Sequence, residues 1–162
     1  MKPSDTLLIG VGNPYRGDDA IGLWVAERLE QRADLTAQVC SASGEGAALL
    51  ELWQGVERAI VVDAARSGAA PGKIFRFEAH RQVIPTRFFH YSTHAFSVAE
   101  AVELARALGQ LPPRLILYGI EGEDFRAGQG LSPCVRDAAE MVILKILQDL
   151  KCAKEAPCTS LP

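Results

Sequence analysis

Short, nearly uninterrupted apolar runs alternate along the chain with longer stretches in which apolar residues return every three or four positions. The runs at residues 6–11, 37–41, 58–63, 73–78 and 114–120 have strand length, and the periodic stretches at about 19–33, 46–54, 95–108 and 133–151 have helical spacing. Ile21, Val25 and Leu29, with Trp24, keep one face of the first helix apolar, and Gly46, Leu49, Leu50 and Trp53 do so for the second. The last helix has the fullest signal. Ser132 stands at its cap, Pro133 at its first position, and Val135, Ala139, Val142, Ile146 and Leu150 follow at helical spacing. Ser97 and Glu100 spell a capping box at the start of the third.

This alternation predicts an α/β fold: a three-layer sandwich in which a twisted, mostly parallel sheet of about five strands carries helices on both faces. The close succession of runs 58–63 and 73–78 suggests one antiparallel edge pair. Residues 1–152 form a single catalytic domain in this reading, and 153–162 a short polar tail. Sites in such sheets lie beyond the carboxyl ends of the strands. The stretch from Ala79 to Thr93, with His80, Phe88, Phe89, His90 and Tyr91, is the longest candidate loop. His80 and His90 are expected at the solvent-facing surface, and Phe88 and Phe89 over the sheet.

The junction from Leu7 to Gly22 is the most informative segment. A buried-type strand ends at Gly10-Val11-Gly12, the turn Asn13-Pro14-Tyr15-Arg16-Gly17 follows, and Asp18-Asp19 opens a helix. A carboxylate there, Asp18 or Asp19, is expected to cap the free N–H groups of the first turn.

Composition narrows the classes. The chain has 162 residues, 48 % of them hydrophobic and 23 % charged, enough for one domain with a real core. Its apolar stretches fall well short of the ~20 residues that span a bilayer, and no signal-type segment opens it, so a cytoplasmic protein without membrane contact is expected. A net charge of −3 with no dense Lys/Arg block argues against nucleic acid. Cys40, Cys134, Cys152 and Cys158 include no Cys-x-x-Cys and are expected as reduced thiols away from the functional rim. There is no Gly-x-Ser-x-Gly turn, and no serine nucleophile with a base is evident.

Three side chains can converge on one rim. Asp19 follows the first strand, Asp63 ends the run Ala59-Ile60-Val61-Val62, and His94 follows Ser92-Thr93 at the third helix. Two carboxylates and an imidazole suit a borderline divalent metal with open positions, and a helix N-terminus keeps an imidazole neutral and ligating. Their spacing is not diagnostic. Each also has a plain structural role, as a cap, a turn acceptor or a capping-region histidine.

With those residues in view, the chain resembles the hydrogenase maturation proteases over nearly its whole length. The likeness rests on Gly10-Val11-Gly12-Asn13 with Asp18-Asp19-Ala20-Ile21-Gly22, on Val61-Val62-Asp63-Ala64, on Ser92-Thr93-His94, and on Leu117-Tyr118-Gly119-Ile120-Glu121 leading to Gly130-Leu131-Ser132-Pro133. The resemblance implies an aspartyl-type endopeptidase that removes the C-terminal extension of a nickel-loaded hydrogenase large-subunit precursor. It implies that Asp19, Asp63 and His94 form the catalytic and metal-contacting trio, with nickel supplied by the substrate subunit. The family's glycine-rich turn corresponds to Ser43-Gly44-Glu45-Gly46, where Glu45 either caps the helix or faces the substrate. Two other readings stand beside this one: a non-cleaving nickel checkpoint or chaperone for the same precursor, and a peptidyl-tRNA hydrolase-like enzyme, disfavoured by the acidic charge.

Overall fold

The structure is a computed structural model that describes residues 5–85 and 97–155, the last three of these by backbone alone. Five strands form one sheet: β1 (Thr6–Val11), β2 (Gln38–Ala42), β3 (Arg58–Ala65), β4 (Ile74–Glu78) and β5 (Arg114–Glu121). Their spatial order is β2-β1-β3-β5-β4. β2, β1, β3 and β5 run parallel, and β4 closes one edge antiparallel to β5. Four helices complete it: α1 (Ile21–Glu30), α2 (Gly46–Trp53), α3 (Val98–Ala107) and α4 (Pro133–Glu155).

Period-two alternation sorts the strand side chains into two cores. Leu7, Ile9, Val11, Ala59, Val61, Leu115 and Leu117 pack with α2 and α3. Leu8, Ile60, Val62, Ile116, Tyr118 and Ile120 pack with α1 and α4 on the opposite face. β3 is buried at every position, as a central parallel strand covered on both faces must be. The three-layer expectation therefore holds.

The antiparallel edge strand is present, but its partner differs from the one the sequence suggested. β4 pairs with β5, through Ile74↔Ile120 to Glu78↔Ile116, whereas β5 takes the place beside β3 over eight aligned pairs. The reason lies in burial: β5, like β3, is apolar enough for a doubly covered slot, and β4 with its half-buried side chains suits an edge.

Two helix ends also differ. Residues Gly17–Ala20 form a short 3-10 turn, so α1 begins at Ile21, and neither Asp18 nor Asp19 caps it by a side-chain bond. α4 continues through Glu155, into the segment expected as tail. The capping box of α3 forms as expected, with the Glu100 N–H donating to Ser97 Oγ (3.3 Å) and the Ser97 N–H to Glu100 (3.1 Å). At α4 the Ser132 carbonyl accepts the N–H groups of Val135 and Arg136.

α1 lies hard against the sheet at Gly22. A Cβ there would stand 2.3 Å from the carbonyl oxygens of both Val11 and Val62, so only glycine lets the helix sit across the carboxyl ends of β1 and β3. That is the point where the chain's windings diverge, outward through α1 to β2 and inward to β3, and ligands of open α/β sheets bind there.

Candidate active site

The carboxyl edge of β1 and β3 carries two aspartates. Asp63, near the end of β3, is buried, and its Oδ1 accepts the Ala64 N–H at 2.8 Å. Asp19 sits in the 3-10 turn after β1 and accepts the Asn13 N–H on Oδ2 at 3.2 Å. Gly12 makes this turn possible, because a Cβ on it would lie 1.9 Å from the Asp19 carbonyl oxygen. The two carboxylates feel each other. Burial pushes the Asp63 carboxyl well above the usual carboxylate range, the Asp19 charge raises it further, and only the Ala64 N–H bond works the other way. A cation or a shared proton relieves the repulsion within such a pair.

The structure thus brings Asp19 and Asp63 together. His94 lies outside the described residues, as do Phe88, Phe89, His90 and Tyr91. Among the described residues no group of three or more His, Cys, Asp or Glu could hold a metal ion. His80 belongs to the opposite end of the sheet, half-buried, where its Nδ1 accepts the Leu115 N–H (3.1 Å) at the start of β5. Glu45 stands exposed at the first position before α2 and makes no side-chain cap.

Asp18 has a role that its place in the sequence does not reveal. Fully buried, it accepts four hydrogen bonds from a distant loop: Glu123 N–H (2.8 Å) and Asp124 N–H (2.9 Å), Ser132 N–H (2.7 Å) and Ser132 Oγ–H (2.8 Å). The Asp18 N–H in turn donates to the Asp124 carbonyl at 2.8 Å. One carboxylate thereby ties the β1 turn to the loop after β5. Glu121 does the same for the loop after β3, accepting from the Ser67 N–H and hydroxyl and from the Gly68 N–H. A charged residue ending the apolar run of β5 was the visible signal for it.

The cysteines need one correction. Cys134 does reach the functional rim, because α4 starts there, and its Sγ donates to Glu123 at 3.6 Å. Desolvation and that bond push its thiol up, which suppresses the thiolate a nucleophile requires. Cys40, Cys134 and Cys152 are free thiols.

The sheet is thus doubly wound, with Asp19 and Asp63 at its carboxyl edge, at the switch point between β1 and β3. A family model described as hydrogenase maturation protease matches residues 23–149, and the chain belongs to that family of endopeptidases. It is 30 % identical over 149 residues to the hydrogenase 2 maturation protease of Escherichia coli, covering 90 % of each chain. It is 27 % identical over 156 residues to the hydrogenase expression/formation protein HupD of Rhodobacter capsulatus, covering 93 % of this chain and 73 % of that one. Among solved structures, the hydrogenase maturating endopeptidase HybD of E. coli superposes with a TM-score of 0.74 at 27 % identity, over 91 % of this chain and 93 % of the other. Family membership displaces the peptidyl-tRNA hydrolase alternative.

Proposed function

We propose that this endopeptidase removes the C-terminal extension of a hydrogenase large-subunit precursor once nickel is in place, and that Asp19, Asp63 and His94 meet the nickel the precursor brings. The observation that supports the reading is the placement of Asp19 and Asp63 together at the switch point: a buried carboxyl, raised first by burial and then by its neighbour's charge, is stabilised as an anion when a dication arrives. Hard and borderline cations accept carboxylate and imidazole donors, so the donor set suits nickel. When bound, the ion would supply Lewis acidity toward the scissile carbonyl.

The chain's own residues do the rest. Asp63 Oδ1 is fixed by the Ala64 N–H, and a carboxylate oxygen of the Asp19–Asp63 pair that the ion leaves uncoordinated is the general base of an aspartyl-type hydrolysis. It takes a proton from water as the water oxygen bonds to the carbonyl carbon. That proton then passes to the leaving amide nitrogen as the peptide bond breaks. Asp19, oriented by the Asn13 N–H, holds the second carboxylate opposite. No helix among the described residues is long and apolar enough to cross a membrane, and cytoplasmic action on a cytoplasmic precursor is part of the proposal.

The test is intact-mass analysis of precursor after incubation with the protein. The expected result is loss of the C-terminal extension from nickel-loaded precursor and none from nickel-free precursor. Tight binding of the loaded form with no mass loss would instead identify a checkpoint.

A further inference from the structure

At the carboxyl edge of the sheet lies a pocket of about 670 Å³, lined by Arg16, Arg66, Glu123, Asp124, Phe125, Arg126 and Ser132. It is an open depression rather than an enclosed cavity. It is bounded by the three loops that leave β1, β3 and β5 at the catalytic edge: Arg16 comes three residues before Asp19, and Arg66 three after Asp63.

The charges in this pocket are not equivalent. Arg126 is consumed by Asp124, in a fork with Nη2–Oδ2 at 2.7 Å and Nε–Oδ1 at 3.0 Å. Asp124 is held well below the usual carboxylate range by that contact, at about 2, so the two cancel. Glu123 accepts the Cys134 thiol. Arg66 is laid over the Phe125 ring, 5.1 Å from its centre, and that ring lies on Gly122, where a Cβ would stand 2.3 Å from the ring's Cζ. The ring is one of the contacts that hold the guanidinium in the pocket wall. Arg16 is exposed in the β1 turn next to Tyr15, itself 78 % exposed. With Asp124 and Arg126 cancelling, Arg16 and Arg66 outweigh the Glu123 carboxylate in the pocket wall on a chain of net charge −3, and Arg is among the residues that dominate binding surfaces.

We propose that this pocket is the subsite for an anionic group on the precursor's C-terminal extension, a side-chain or terminal carboxylate, gripped by Arg16 and Arg66. A planar carboxylate matches the guanidinium fork, and the position at the same sheet edge as Asp19 and Asp63 sets the register of the peptide at the scissile bond. The inference rests on the precursor-processing reading above.

It is tested with Arg16→Gln, Arg66→Gln and the double variant, with Arg32→Gln, at the far end of α1, as control. KM and kcat for nickel-loaded precursor are read by intact mass. Each single variant is expected to raise KM about fivefold to tenfold and the double variant about thirtyfold or more, with kcat within about threefold, and the control is expected to match the parent. In the reciprocal arm the precursor carries amides in place of the extension's acidic side chains, or a C-terminal carboxamide. The change that removes the bound carboxylate raises KM for the parent enzyme and adds little to the double variant, which identifies the source. A double variant within twofold of the parent, or precursors with both changes that keep their KM, would overturn the subsite. If the parent enzyme binds but does not cleave, the processing reading fails by itself, and the subsite is decided by whether the double variant weakens the precursor's Kd by the same factor.

Discussion

Replacing Asp18 with alanine should release the loop after β5 from the β1 turn, and the size of the effect follows from the four bonds it accepts. The two to Ser132 are buried, whereas those to the Glu123 and Asp124 N–H groups are partly open to water. A buried donor left without a partner costs about 1–3 kcal/mol and a partly hydrated one about 0.5–1, so the sum is about 3–8 kcal/mol before relaxation. That is a large share of the ~5–15 kcal/mol holding a domain of ordinary stability. Asp18→Asn keeps one acceptor oxygen but turns its amide N–H groups toward other donors, so it should lose about half as much. Urea unfolding measures the total, and amide exchange at Glu123, Asp124 and Ser132 locates it. Alanine at position 18 costing under ~1 kcal/mol, with those three amides still protected, would refute the reasoning.

Other consequences follow from the same geometry. Gly22→Ala pushes a methyl into the Val11 and Val62 carbonyls, and it should cost about 3 kcal/mol in thermal unfolding and abolish processing, because α1 must lift from the β1–β3 edge. Glu121→Ala strips the acceptor from the Ser67 and Gly68 N–H groups, with an expected loss of about 2–3 kcal/mol in urea and a raised KM through the displaced Arg66. Asp63→Asn should end processing yet stabilise the metal-free protein. The folded Asp63 carboxyl is raised, so folding takes up a proton between the unfolded value, about 3.9, and the folded one; that stability is complete at low pH and drains away as pH climbs through the folded value. Unfolding at pH values of about 4 and 8 should show the parent losing about 1.4 kcal/mol per unit of that difference, a slope that the Asp63→Asn variant lacks.

How much of this was legible from the residues depends on what kind of information each feature carries. β1, β3, α2 and α4 fell close to their predicted bounds, since period and length are local properties. The partner of β4 did not, because strand adjacency is settled by which strand can tolerate burial on both faces, a comparison made across the whole chain. That Asp19 and Asp63 reach the same edge of the sheet is legible from their positions after apolar runs. Asp18 was assigned to helix capping because a sequence shows only the nearest donors, and its actual donors lie more than a hundred residues away. Arg16 and Arg66 carried no signal at all: each is an ordinary loop arginine until the fold sets both around Phe125.

If the β1–β3 edge is one nickel-reading centre, crystals of the protein soaked in nickel should reveal it in diffraction data collected at the nickel absorption edge. The expected result is an anomalous peak at coordination distance, roughly 2 Å, from carboxylate oxygens of both Asp19 and Asp63, with His94 as the third donor. A peak elsewhere on the molecule, or full nickel occupancy that leaves either aspartate uncoordinated, would contradict it.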